Sequence, residues 1–449
     1  MLEIKNKKIS VIGAVRSGIG AAKLAKQLGV IPFVSDTGSE EKLKASIDIL
    51  KKEKIDFEIG AHSEKVFDCE LMIISPGVPS DAEIIKLARA KNLKIVSELE
   101  FASSFCNGNV IGITGTNGKT TTTSLCDFLF NNCGKKSYAA GNIGLAFSEI
   151  AAKINPDEFV SLEISSFQLD LVDKFRPKVA MILNITPDHL NRYENSIEKY
   201  SMSKMRIFEN QKSDDYLILS KDSALLNQYF KKAESKIFYF STKEKVSNGC
   251  FLENEEIIFV RNNVIEFSCK ISDLFIKGEH NVQNAMAVII AAKIFNLENN
   301  YILAALKEFK GVEHRLELVR EIDGVKFIND SKATNVDSVI VALKSFNEPI
   351  FLILGGQDKG NDYSMIEELV IEKVKKIYAI GSSAEKVFNY FHNKVKTEIK
   401  KNFEEVINTA INEAREGDIV LLSPACASFD MFDNYEHRGK VFKSIVNDK

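Results

Sequence analysis

The stretch Val110–Thr123, VIGITGTNGKTTTT, decides how the rest of the chain is read. A short β-branched run enters a glycine-rich turn, Lys119 follows, and a block of threonines leads into the apolar, helix-like LCDFLF. A strand feeding such a turn into a helix N-terminus presents backbone N–H groups and the positive end of the helix dipole, which suits a polyphosphate. In that arrangement Lys119 reaches the outer phosphates and the Thr120 hydroxyl ligates the accompanying Mg²⁺. The glycines stand at 112, 115 and 118, and Ile113 sits where the strict G-x-x-x-x-G-K-[ST] spacing wants glycine. A nucleotide site is expected here rather than a turn without a ligand.

With 449 residues the chain exceeds one ordinary core, and about 100–200 residues per domain suggests three. A net charge of −3 gives no electrostatic case for nucleic acid or an anionic membrane. No apolar run reaches the ~18 residues of a membrane span, and MLEIKNKKISVIG does not resemble a secretory signal. The seven cysteines are scattered and form no C-x-x-C, as expected of free thiols in a reducing compartment. A cytoplasmic protein without membrane insertion is therefore expected.

Upstream of the loop, KISVI (Lys8–Ile12) reads as a strand entering G-A-V-R-S-G (Gly13–Gly18) and then an apolar-periodic helix. A second strand, Ile31–Ser35, ends at Asp36-Thr37. This is the layout of a dinucleotide-binding βαβ unit, except that Val15 replaces the glycine that lets a pyrophosphate approach. A ligand other than NAD is expected. A further strand, LMIIS, ends in Ser75-Pro76-Gly77 at the same carboxyl edge, and helices at Asp81–Lys91 and Ser97–Ser104 complete the region near Asn107.

Downstream, α/β alternation gives way to a strand-rich stretch, Lys236–Ile276, and then to helices at Gly278–Phe295 and Ile302–Phe309. Alternation resumes with VKFIND, DSVIVALKSF, IFLILGG, KKIYAIG and DIVLLSP. The predicted architecture is α/β in three domains: Rossmann-like over 1–107, a central P-loop domain over 108–311, and a Rossmann-like C-terminal domain over 312–449.

Several residues could carry chemistry. Glu163 ends the apolar strand FVSLEIS, where a carboxylate holds Mg²⁺ or caps the next helix. His189, in NITPDHL, is a ligand or a hydrogen-bonded loop histidine. Lys204 shares a helical face with Ile197, Tyr200, Ile207 and Phe208. It must pair with a carboxylate, be modified, reach a polar site or snorkel to solvent. In the last domain, Glu313-His314-Arg315, Asn329–Asn335, Gly355–Gly360 and Ser423–Asp430 supply polar or glycine-rich turns. Three of these follow strands, which marks a binding face, and Arg315, Lys332 and Lys359 suit a small anionic substrate.

TGTNGKTTTT, LEISSFQL, NITPDHL, SKMRIF, GEHNVQNA, HRLE, NDSKATN, GGQDKG and SPACASFDMFDNYEHRG follow the order and spacing of a Mur ligase. The resemblance spans the chain, and NDSKATN with SPACASFD resembles the D-glutamate-adding branch. It implies an ATP-dependent amide ligase that joins UDP-N-acetylmuramoyl-L-alanine and D-glutamate through an acyl phosphate and a tetrahedral intermediate. It also implies a monomer and two Mg²⁺ ions. By resemblance, Gly115, Thr116, Asn117, Gly118, Lys119, Thr120 and Thr121 hold the ATP phosphates, and Asn281 and Asn284 contact adenine. Arg315 and Asp330 orient the nucleotide. Thr120 and Glu163 hold one Mg²⁺; Lys204, carboxylated on its side chain, and His189 serve the second. Lys119, His189 and Lys204 are thus the catalytic candidates. Ser17, Asp36, Thr37, Ser75 and Gly77 take the uridine diphosphate, and Asn142 with His189 the muramoyl-alanine end. Lys332, Thr334, Lys359, Ser428, Phe429 and Tyr435 receive D-glutamate. Two other readings stay open at this point, an L-glutamate or folylpolyglutamate-type ligase and a nucleotide-binding regulator with an NAD-sensing first domain.

Overall fold

The computed structural model describes residues 6–79, 81–223, 226, 233–358 and 360–449. Among these the strands form three sheets, and the residues divide into two compact units. The first unit runs to Phe275 and takes in Asn281–Phe309; the second comprises Ile276–His280 and Lys310–Lys449.

The first sheet is made of β1 (Lys8–Ile12), β2 (Ile31–Asp36), β3 (Asp56–Ile59), β4 (Leu71–Ile74) and β5 (Lys94–Ser97). Its order is β3-β2-β1-β4-β5, parallel throughout. Runs such as LMII are apolar at every position because helices cover both faces of a parallel sheet. The order reverses at β1, so the turns after β1, β2 and β4 open a crevice at one carboxyl edge. Gly18 lets these elements close up, since a Cβ there would lie 1.8 Å from the Gly13 carbonyl oxygen.

The second sheet contains β6 (Asn109–Thr114), β7 (Ser137–Gly141), β8 (Phe159–Glu163), β9 (Val179–Ile182), β10 (Tyr216–Ser220), β11 (Lys236–Ser241), β12 (Gly249–Glu253), β13 (Glu256–Arg261) and β14 (Val264–Lys270). Their order is β14-β13-β12-β11-β10-β9-β6-β8-β7. The strand-rich stretch expected over Lys236–Ile276 is the β11–β14 end, where pairing turns antiparallel at β12. The reversal now falls at β6, which delivers the glycine-rich loop. The helix Glu279–Ile294 is apolar all round, through AMAVIIAA, and is accordingly buried almost throughout.

The third sheet holds β15 (Glu317–Ile322), β16 (Val325–Asn329), β17 (Ile350–Leu354), β18 (Val374–Ala379), β19 (Lys396–Ile399) and β20 (Ile419–Leu422), ordered β15-β16-β20-β17-β18-β19. Only β15 pairs antiparallel, and one apolar core lies on each face. The α/β architecture is the one expected, and the helices expected at Asp81–Lys91 and Ser97–Ser104 run over Glu83–Ala90 and Glu98–Ser103. No helix among the described residues is long and apolar enough to cross a membrane.

Within the first unit, the helix Glu98–Ser103 ties the first two sheets together. Glu100 is buried, and its carboxylate accepts the backbone N–H groups of Asp173, Lys174 and Phe175 at 2.9–3.1 Å. Removing the acceptor leaves the buried Phe175 N–H without its partner, whereas Asp173 and Lys174 are exposed. Glu100→Ala is expected to cost the first unit about 3 kcal/mol, read as a lowered thermal midpoint. An unchanged midpoint would rule this clasp out as a source of stability.

Candidate functional site

The loop after β6 enters the helix Lys119–Asn132 through Gly118, whose φ of +85° is left-handed. Its conformation calls for glycine, and a Cβ at Gly118 would also sit 2.5 Å from Asn284 Oδ1, so any side chain there would displace the Asn284 amide. Asn284 in turn donates to Asn281 Oδ1 at 3.2 Å, and both are buried beside the loop. The segment after β9 braces the loop. Asn117 N donates to Asn184 Oδ1 at 2.9 Å, and Thr116 Oγ1 donates to the Thr186 carbonyl at 3.0 Å. Lys119 folds back, donating to the carbonyls of Gly115 (2.8 Å) and Thr116 (2.7 Å).

Lys204 is 1% exposed, which excludes snorkelling. Its Nζ lies 4.6 Å from the centre of the Tyr200 ring and donates to the Gly115 carbonyl at 2.9 Å. That carbonyl also receives Lys119. Burial, and then the charge of Lys119, hold the Lys204 amine well below the usual lysine range, while Asp188, Asp170 and Glu163 act the other way.

Glu163 is buried at the end of β8. It does not cap the next helix, because Ser165 occupies that position with its Oγ accepting from Gln168 N. Glu163 Oε1 accepts from Asn142 Nδ2 at 2.8 Å, whereas buried Oε2 has no hydrogen-bond partner among the described residues. An orphaned carboxylate oxygen beside a phosphate loop fits a hard divalent cation such as Mg²⁺. His189 adopts a left-handed φ of +51°, lies 3.8 Å from Asp188 and packs edge-on against Phe167.

The crevice at the first sheet is a cavity of about 890 Å³. Ser17, Asp36, Thr37, Ser75, Gly77 and Asn142 all line it, so six residues expected to meet the UDP-substrate are brought together. Neither His189 nor Arg192 is in its lining, but Arg192 of the same segment bonds the turn after β4. That guanidinium stacks 3.8 Å over Phe167 and donates to the Val78 carbonyl at 3.0 Å. Asp36 accepts from Ala14 N (2.6 Å) and Gly38 N (2.7 Å), which ties the end of β2 to the turn after β1. Val15 projects into the open beside it, 62% exposed. Arg16 donates to the Gly144 carbonyl at 2.6 Å, fastening this turn to the loop that carries Asn142.

In the second unit the turns after β16, β20 and β17 cluster around the sheet's reversal point. Asp330 is buried, accepts Ser423 Oγ at 3.0 Å and lies 3.9 Å from Arg315. Burial pushes its carboxyl up to about 6, against the pull of Arg315. Lys332 Nζ is 5.2 Å from the Tyr435 ring centre, and Thr334 N donates to the Lys332 carbonyl. Ser428 is buried and Phe429 is 67% exposed. Lys359 lies outside the described residues.

Sequence reasoning passed over Arg438 in YEHRG. Buried, it donates to Ser331 Oγ and O and to the carbonyls of Cys426 and Ala427, stitching NDSKATN to SPACASFD. An arginine three residues into a helix with an apolar face was the available signal. Glu313, His314 and Glu317 also converge, but Lys443 pairs with both carboxylates.

Comparison with known proteins accounts for all three sheets. A MurD N-terminal domain model matches residues 12–84, the Mur ligase middle domain residues 113–292, and the Mur ligase glutamate ligase domain residues 314–426. A MurC ligase structure from Thermotoga maritima superposes with a TM-score of 0.65 at 20% identity, covering 99% of this chain and 100% of that one. The fold and the phosphate loop thus define a class, the Mur ligases. Within it, proteins named UDP-N-acetylmuramoylalanine–D-glutamate ligase are similar end to end. That of Koribacter versatilis is 41% identical, over 99% of this chain and 98% of its own. That of Christiangramia forsetii is 44% identical, over 98% and 99%. The chain belongs to this D-glutamate ligase family.

Proposed function

We propose that the protein is an ADP-forming ligase that adds D-glutamate to UDP-N-acetylmuramoyl-L-alanine in the cytoplasm, as a monomer, during peptidoglycan precursor synthesis. The observation that carries the reading is the Lys119–Gly115–Lys204 cluster beside the orphaned Glu163 oxygen. It is a site for concentrated negative charge and cations, as phosphoryl transfer demands.

A carboxylate is a poor acyl donor because its leaving group is oxide. Its attack on the γ-phosphorus of ATP expels ADP and gives an acyl phosphate, whose leaving group is phosphate. The D-glutamate amine attacks the acyl carbon, and the tetrahedral intermediate collapses to the amide. In this reading Gly115–Thr121 cradle the ATP phosphates, Lys119 leaves its two carbonyls to neutralise the γ-phosphate, and Asn281 and Asn284 hold adenine. Arg315 and Asp330 orient the nucleotide. Thr120, Glu163, His189 and a carboxylated Lys204 would hold two Mg²⁺ ions, which neutralise charge developing on the transferred phosphoryl group. Ser17, Asp36, Thr37, Ser75 and Gly77 hold the uridine diphosphate; Asn142 and His189 position the muramoyl-alanine carboxylate. Lys332, Thr334, Lys359, Ser428, Phe429 and Tyr435 receive D-glutamate. The corresponding division of labour assigns 1–107 to the UDP-substrate, 108–311 to ATP and 312–449 to the amino acid.

An assay of ADP and phosphate release over a matrix of UDP-sugar acceptors and amino acids tests the proposal. Turnover is expected only with UDP-N-acetylmuramoyl-L-alanine and D-glutamate together. Equal turnover with L-glutamate, or brisk turnover without an amino acid, would overturn it. The NAD-sensing alternative rests on the first glycine-rich turn, where Val15 replaces the glycine that lets a dinucleotide pyrophosphate approach, and no NADH binding is expected.

A further inference from the structure

One polar cluster at the crevice has no part in this scheme. The parallel register of β2 and β3 sets Ser35 beside Glu58. Ser35 Oγ is 2.7 Å from Glu58 Oε1 and 2.7 Å from His62 Nδ1, while Ser63 N donates to the same Glu58 Oε1 (2.9 Å) and Ser63 Oγ to Glu58 Oε2 (2.5 Å). A serine hydroxyl carries one hydrogen, and an ionised carboxylate can only accept. Ser35 therefore donates to Glu58 and accepts from His62 Nδ1–H. This relay fixes the imidazole tautomer with its lone pair on Nε2, as a bonded carboxylate does for other histidines. Burial lowers the pKa of the ring, which keeps it neutral against the opposing charges of Glu58 and Asp36. His62 lines the crevice next to Asp36 and Thr37, and its Nε2 has no hydrogen-bond partner among the described residues.

A neutral lone pair selects a ligand group that donates hydrogen. A diphosphate offers none, and the Arg16 cation with the turns after β1 and β4 provides for it elsewhere in the same crevice. The nucleoside does offer donors: uracil an imide N–H, ribose its hydroxyls. We propose that His62 binds the uridine of the UDP-substrate, its Nε2 accepting a hydrogen bond from the uracil N3–H or a ribose hydroxyl, with Ser35 and Glu58 as positioning residues that fix the tautomer. This rests on the reading of the crevice as the UDP-substrate site.

The test is calorimetric titration of the full chain with UDP itself. Native protein is expected to bind, His62→Phe about 10-fold more weakly through loss of one hydrogen bond, and His62→Gln to recover part of the loss. Ser35→Ala, which frees the tautomer without touching ligand, is expected to weaken UDP binding less. In steady state the KM for the UDP-substrate rises in His62→Phe while kcat and the KM values for ATP and D-glutamate hold. N3-methyl-UDP and 2′-deoxy- or 3′-deoxy-UDP separate the two donors, since the analogue lacking the recognised donor binds native and His62→Phe protein alike. If native protein does not bind UDP, the reading of the crevice falls and the role of His62 with it. If native and a folded His62→Phe bind UDP equally, only the role of His62 is overturned.

Discussion

Lys204→Met is expected to abolish ligase turnover, a loss of at least roughly 10³-fold or about 4 kcal/mol of transition-state stabilisation, while raising the thermal midpoint of the ligand-free protein. Both directions follow from the surroundings of one amine. It is buried, it shares the Gly115 carbonyl with Lys119, and its other close neighbour is the Tyr200 ring. An ammonium in that position carries a desolvation cost of several kcal/mol and faces the like charge of Lys119, which Asp188, Asp170 and Glu163 only partly offset. Methionine fills similar volume with no charge to desolvate, so stability rises. What is lost is the chemistry. An amine held neutral by burial is nucleophilic toward CO₂: its nitrogen lone pair forms the N–C bond, one proton leaves, and a carbamate anion remains. That exchange turns repulsion by Lys119 into attraction and gives a ligand for a divalent cation. Protein equilibrated with ¹³C-bicarbonate is therefore expected to show a carbamate carbon resonance that Lys204→Met lacks. Full activity in Lys204→Met, or an active native protein without that resonance, would sink the proposal.

Local punctuation made much of the molecule legible. Strand, glycine-rich turn and helix follow one another within about fifteen residues at Gly13, Gly115 and Gly355, so each sheet's carboxyl edge could be located from the sequence. Ser17, Asp36, Thr37, Ser75 and Gly77 stand in turns that the sequence marks, but it was the resemblance to Mur ligases that assigned them and Asn142 to the UDP-substrate, and the structure brings all six to one crevice. What stayed hidden depends on contacts across long stretches of chain. Arg438 meets Ser331 at a separation of 107 residues, Arg192 meets Val78 at 114, and Lys204 meets Gly115 at 89. Periodicity put Lys204 on an apolar face, but only the carbonyl it reaches distinguishes a buried amine from one that snorkels. The strand β15 went unread for a different reason. Its residues ELVREI are half exposed on an edge, and pairing with β16 rather than burial holds them extended. His62 was invisible as a binding residue because its role depends on a tautomer set by the pairing of β2 with β3.

Glu163→Gln separates function from fold at the other end of the same site. The substitution keeps size, and the amide oxygen can still accept from Asn142 Nδ2. It removes the charge from a carboxylate that is 1% exposed and has one oxygen unpartnered. A buried charge without a full set of partners is costlier than a buried amide, so the ligand-free variant is expected to melt higher than native. If Oε2 is left open for a cation, turnover in Glu163→Gln should fall roughly 10³-fold at saturating substrates, because the loss is felt where charge develops on the phosphoryl group. The native protein should also gain stability when Mg²⁺ and ATP are added together, by an amount set by ligand concentration over Kd, and the variant should gain much less. Differential scanning calorimetry with and without the metal nucleotide reads both effects in one experiment. A variant that melts lower than native without ligand, yet gains as much from Mg²⁺ and ATP, would make Glu163 a structural carboxylate and leave cation binding to Thr120, His189 and Lys204. A variant that melts higher, binds metal nucleotide poorly and does not turn over ties the strain of this buried oxygen directly to catalysis.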